Sequence, residues 1–336
     1  PVGLTATPST WTNNNLFSID WTNPSDPSGI AKVWYKVGSV PSYHSDGIWL
    51  SLPQFKPFYA AATSEGGQVI YVWLEDGAGN KDHNIRSTTT LYYDGTAPSA
   101  PSPDDGVTGW STDNTPTFSW SAPSDTSGIA GYYYKVDSGS ETWTTSTSVT
   151  LPAQSDGIRT FYVRAKDNAG NTGSYGSHQF KIDTANPPAP SPDDGVAGWS
   201  NDNTPTFSWS APSDTSSIAG YYYKVDSGSE TWTTSTSVTL PAQSDGTHTF
   251  YVKAKDNAGN IGSYGSHQFK IDTANPLVTV NSPNGGENWK VGSQHAITWT
   301  ATDNVGVTSV DIKYSTNGGS TYPYAIATGE PNDGTY

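Results

Sequence analysis

Along residues 158–166, Phe161, Val163 and Ala165 alternate with Tyr162, Arg164 and Lys166. Period two is that of a strand with one buried face, because successive Cβ atoms leave the pleated backbone on opposite sides. Phe118 and Trp120 alternate with Ser119 and Ser121 in the same way. Runs of this kind, punctuated by Gly, Pro, Asn and Asp, fall near 109–110, 115–122, 130–137, 141–145, 147–151, 158–166 and 177–183. They predict about seven short strands in an 89-residue stretch and no helix of useful length.

That stretch is a repeat. Residues 103–187 and 192–276 align without a gap at an offset of 89, with seven differences, among them Gly128/Ser217, Arg159/His248 and Arg164/Lys253. Residues 1–96 carry the landmarks more loosely: Trp21 to Asp26 matches Trp120 to Asp125, and Tyr35-Lys36-Val37 matches Tyr134-Lys135-Val136. An insertion of eight residues around 41–58 predicts an enlarged loop or hairpin there. The last segment keeps Trp299, Asp303 and the alternating Val310, Ile312 and Tyr314, but has no counterpart of 161–182. Four domains are expected, at 1–96, 97–185, 186–274 and 275–336, the last incomplete. Residues 332–336 read as the start of a further strand, and a chain without Met reads as a piece of something larger.

Composition narrows the function classes. Hydrophobic residues make up only 33%, yet 13 Trp, 20 Tyr and 9 Phe are too many for a disordered chain. A net charge of −15, with 16 scattered Lys and Arg, argues against nucleic acid and is compatible with cations. No apolar run is long enough to span a membrane. Zero Cys removes disulfides, thiol nucleophiles and thiolate zinc sites together. The six His form no His-Glu-x-x-His pair, and no Gly-x-Ser-x-Gly elbow is present, so an enzyme is not expected.

The run Phe-Ser-Trp-Ser-Ala-Pro-Ser-Asp-Thr-Ser-Gly-Ile-Ala-Gly-Tyr-Tyr-Tyr-Lys-Val-Asp (118–137), with Asp-Asn-Ala-Gly-Asn (167–171) and Ile-Asp-Thr-Ala-Asn-Pro (182–187), resembles the tandem bacterial Ig-like, fibronectin-III-like domains of surface proteins and giant adhesins. The likeness covers roughly 1–274 and implies all-β sandwiches of the Ig kind. Residues 282–293 with Ile297-Thr-Trp-Thr-Ala resemble a different Ig-like subfamily, shared by secreted bacterial proteins and fungal cell-wall glucan-assembly proteins. Arg159 and His248 stand where a fibronectin-III domain carries the Tyr of its tyrosine corner, which favours the bacterial Ig-like form.

Asp-Asn-Ala-Gly-Asn recurs at 256–260, with Asp-Gly-Ala-Gly-Asn at 76–80. One reading is a hairpin in which Gly170 takes a positive φ and Asp167 or Asn168 caps the turn. The other is chemical. In an Ig-like sandwich this hairpin and the loop after the second strand lie at the pole next to the incoming linker, and each place holds an aspartate: Asp94, Asp125 and Asp167, then Asp183, Asp214 and Asp256, then Asp272 and Asp303. Converging carboxylates suit Ca²⁺, which takes six to eight oxygens. Resemblance points the same way, since related adhesin repeats use linker and turn aspartates to stiffen their rods.

Tyr133 and Tyr222 sit centrally in tyrosine triplets of a predicted strand, and Trp143 and Trp232 in polar surroundings. They are read either as cross-strand packing or as a surface for glycans or another chain. The Trp series 21, 120, 209 and 299 is read as core. Together these features predict an extracellular, cell-surface, non-enzymatic stalk whose partners are copies of itself, neighbouring surface proteins or glycans. The rival expectation is a carbohydrate-binding or accessory region of a larger secreted hydrolase.

Overall fold

Phe118 and Phe161 stack at 4.1 Å with 2° between their planes, and one sandwich is assembled around that contact. The computed structural model describes residues 1–51 and 56–336 and forms two units, Pro1–Thr184 and Ala185–Tyr336. Among the described residues every regular element is a strand.

The first unit opens with β1 (Val2–Thr7), β2 (Phe17–Thr22), β3 (Ile30–Val37), β4 (Ile48–Ser51), β5 (Phe58–Ala60), β6 (Gly66–Asp76) and β7 (Ser87–Tyr93). These form a sheet β1-β2-β5 and a sheet β4-β3-β6-β7. Phe17, Ile19 and Trp21 from the first bury against Val33, Ile70, Val72 and Leu91 from the second. The insertion becomes a turn over 41–46 followed by β4, which pairs with β3. Asp46 pins that turn, accepting from Lys36 Nζ at 2.8 Å and from the Ser42 N–H at 2.6 Å. Residues 52–55 of the insertion lie outside the described residues.

The unit continues with β8 (Trp110–Ser111), β9 (Thr117–Ser119), β10 (Ile129–Val136), β11 (Thr142–Thr144), β12 (Ser148–Thr150), β13 (Gly157–Asp167) and β14 (Gly176–Ile182). Each expected run is a strand. β9 is shorter than its alternation predicts, since pairing with β12 stops at Ser119 and the Trp120 N–H donates to Thr147 O instead. β12 and β9 make one sheet; the other runs β11-β10-β13-β14-β8, with β8 joining β14 in parallel. Phe161, Val163 and Ala165 are fully buried, as parity demanded. Each large side chain so buried contributes about 1.5–3 kcal/mol.

In the second unit the strands from Trp199–Ser200 to Gly265–Ile271 (β15–β21) repeat this arrangement, with Phe207 stacked on Phe250 at 4.2 Å. The last segment is different. β22 (Leu277–Ser282) pairs with β23 (Thr298–Thr302), and β24 (Val310–Tyr314) with β25 (Tyr324–Glu330), in two separate sheets. Trp299 and Ile312 are its buried hydrophobics among the described residues, whereas Leu277, Val278 and Val280 are exposed. Tyr336 exchanges two backbone hydrogen bonds with Ile297. Among the described residues no helix is long and apolar enough to cross a membrane.

Candidate cation site at a domain junction

The recurring five-residue phrase is a turn in all its copies. Asp167 ends β13, and its Oδ1 accepts from the backbone N–H of Gly170 at 2.7 Å and of Asn171 at 2.8 Å. Gly170 has φ 102°, a backbone conformation that L side chains rarely adopt. Asp76 and Asp256 accept from Asn80 and Asn260 in the same way, and Gly79 and Gly259 have φ 89° and 105°. Asn168 donates rather than caps, reaching Ser127 O at 2.8 Å.

The turn also does what its sequence did not announce. Asn171 Nδ2 donates to the main-chain oxygen of Asp94 at 2.9 Å, and so ties β13–β14 to the segment leaving β7. Asp94 is fully buried at that point. Its Oδ2 accepts from the Ser127 N–H at 3.0 Å and its Oδ1 from the Thr96 N–H at 3.2 Å. Asp125, on the loop before β10, accepts at Oδ1 from the Ser127 N–H and hydroxyl, both at 3.1 Å.

Asp94, Asp125 and Asp167 thereby converge, each offering one oxygen within 4.8 Å of the others. Oxygens sharing an ion 2.3–2.6 Å away lie at most about 5 Å apart, so the spacing fits Ca²⁺. Among the described residues no Lys, Arg or His pairs with any of the three. Burial raises the pKa of Asp125, and the charges of Asp94 and Asp167 push it the same way against the opposing bond from Ser127. The donors are all oxygens, the set a hard divalent cation prefers over a transition metal.

The other predicted aspartates are distributed as follows. Asp183 follows β14 in the first unit, where its N–H donates to Ser111 O. Asp214 and Asp256 belong to the second unit, and Asp214 accepts from Ser216 as Asp125 does from Ser127. Asp272 caps Ala274 and Asp303 caps Val305, with no third carboxylate or imidazole gathered around them among the described residues.

The tyrosine surface is a cross-strand ladder. Tyr133 pairs with Trp143 edge to face at 4.8 Å, and Tyr222 pairs with Trp232 at the same distance. A Cβ on Gly131 would stand 2.4 Å from the Trp143 ring, so only glycine lets the indole lie down on β10. Arg164 covers Tyr133 and Tyr175 and binds Glu141 through two nitrogens at 2.7 and 2.8 Å. Trp143 remains 43% exposed.

The structure also gathers histidines that look scattered in sequence. His178 bridges Asp104 and Asp105, and His267 bridges Asp193 and Asp194. Recurrence at the same offset of 89 residues was the signal available for those. His44 and His83 meet within the first domain, and nothing in their spacing of 39 residues announces it.

Residues 189–273 match the bacterial Ig-like domain family. The chain is 28% identical over 276 residues to chitinase A1 of Niallia circulans, covering 75% of this chain and 39% of that protein. It therefore spans about two fifths of that relative's length. The FN1–FN3 domains of chicken CNTN1 align over 81% of this chain and 98% of their own at 14% identity, with a TM-score of 0.29. The fold rests on the strands themselves. Residues 100–184 repeat the matched segment with seven differences, so the likeness to the bacterial Ig-like domain extends to them.

Proposed function

We propose that this chain is a non-catalytic, extracellular stalk of tandem Ig-like domains, in which Ca²⁺ fastens one domain to the next. The observation that carries the reading is the junction of Asp94, Asp125 and Asp167. Three carboxylates from a linker, a loop and a hairpin of two successive domains converge there without a cationic side chain among the described residues. Binding an ion at that point offsets the mutual repulsion and holds both domains to one centre. Such a stalk serves by spacing and anchoring, with copies of itself or neighbouring surface proteins as partners.

The test is calorimetric titration of the full chain with Ca²⁺, beside thermal unfolding in Ca²⁺ and in EGTA. At a hundredfold excess over Kd, one site stabilises by about 2.7 kcal/mol. Asp125→Asn should lose that gain and leave stability in EGTA unchanged or raised. Equal melting in Ca²⁺ and EGTA would sink the calcium reading.

A second reading, the accessory region of a larger secreted hydrolase, is favoured by the likeness to a chitinase. It gains support if the chain sediments with insoluble chitin and Trp143→Ala weakens that binding.

A further inference from the structure

His44 and His83 point their Nδ1 atoms at each other across 3.2 Å, and Asp82 Oδ1 stands 3.9 Å from the first and 3.8 Å from the second. We infer that these three side chains form a site for a zinc-like divalent transition ion in the first domain, separate from the oxygen-only junction. Two ring nitrogens bound to one Zn²⁺ at 2.0–2.1 Å lie about 3.3–3.4 Å apart in a tetrahedron, and the observed separation is close to that. The carboxylate needs to approach by about half an ångström to reach the same geometry, which a turn about its own side-chain bonds supplies.

The ligands are held by two pinned turns. The His44 main-chain oxygen accepts from Trp73 Nε1 at 3.1 Å, and Asp46 closes the turn that follows through Ser42 and Lys36. On the other side the His83 oxygen accepts from Arg86 Nη1 at 2.8 Å, and Asp82 is oriented by the Asn84 N–H at 2.9 Å. Without an ion, one imidazole must carry the Nδ1 proton that the other accepts. A metal takes the place of that proton, leaving both rings neutral and both Nδ1 lone pairs directed at it.

The donor set is nitrogen-rich, unlike the carboxylate trio at Asp94, so imidazole-preferring ions are favoured over Ca²⁺. His44 is 55% and Asp82 41% exposed, which leaves the remaining coordination positions to water. The consequence is mechanical. His44 belongs to the inserted turn that the other copies lack, and the ion would clip that insertion to the segment between β6 and β7.

The experiment uses the full chain without a polyhistidine tag, in excess Ca²⁺ to saturate carboxylate sites, titrated with ZnCl₂. The wild-type chain should take up Zn²⁺ and melt at a higher temperature with it. His44→Gln and His83→Gln should each weaken that binding by at least about tenfold and abolish the rise. His178 and His267 remain in both variants, so zinc held by them stays unchanged. No Zn²⁺ uptake by the wild type, or unaltered uptake and melting in either variant, overturns the site. His44 packs into no core, so its variant keeps the test valid should His83→Gln fold poorly.

Discussion

The side-chain amide of Asn171 donates to the main-chain oxygen of Asp94 across 77 residues of sequence. The hairpin of one domain thereby takes hold of the strand end of the domain before it. The same amide also donates to Asp167 Oδ2 at 2.7 Å, so one side chain serves its own turn and the linker together. Asn171→Ala leaves the Asp94 carbonyl without that donor and is expected to cost about 1–2 kcal/mol. Urea unfolding of the full chain measures the cost, and hydrogen exchange at Ser127 and Thr96 should accelerate with it.

Asp125 gives the junction a pH signature. Its pKa in the folded state lies above the ordinary carboxylate value through burial first and then through its charged neighbours. A carboxyl so raised holds its proton longer folded than unfolded, so its contribution to stability falls as pH rises from the unfolded value through the raised one. In EGTA, melting temperatures of the wild type and Asp125→Asn should therefore diverge above that window and converge below it. Saturating Ca²⁺ should close the gap in the wild type, since the ion favours the ionised form.

Parity made the strands legible. Phe161, Val163 and Ala165 are buried as their spacing requires, and the turn glycines stand where the phrase Ala-Gly-Asn places them. Convergence of Asp94, Asp125 and Asp167 was legible only through the known pole of such a sandwich. The reach of Asn171 was not, because one amide serves both its own turn and a foreign carbonyl. The meeting of His44 and His83 depends on how an insertion folds back, and alternation carries no information about that.

Glu75 is nearly buried, yet its carboxyl is held at a pKa of about 2. Burial alone would raise it; Lys32 at 2.7 Å, Lys81 at 3.0 Å and Trp34 Nε1 at 2.9 Å outweigh that. The folded pKa is depressed, so the stabilisation is present above the ordinary glutamate value of 4.5 and is lost as pH falls from there towards about 2. Glu75→Gln should destabilise the first domain by about 2 kcal/mol at neutral pH, less than a sealed ion pair would because both lysines reach water. Acid titration of unfolding should show the two proteins approaching each other below pH 4.5.

The near-identical domains offer an internal control at Arg159 and His248. Arg159 gives one nitrogen to Asp137 at 3.1 Å and another to Ser155 O at 3.1 Å. His248 spans the corresponding pair, with Nδ1 2.8 Å from Asp226 and Nε2 2.9 Å from Ser244 O. Both partners are acceptors, so only the doubly protonated ring satisfies them. Its pKa is accordingly raised, by the bond to Asp226 first, against desolvation. A raised histidine contributes fully below its unfolded value of 6.5 and loses that contribution as pH climbs through the folded one. The domain with His248 should weaken by up to about 1 kcal/mol over that interval, a modest loss because Asp226 is half exposed. The domain with Arg159 should not, and His248→Arg should abolish the difference. Hydrogen exchange at Phe250 and at Phe161, followed across pH 6 to 9, separates the two domains within one sample, and equal slopes at the two sites would refute the assignment.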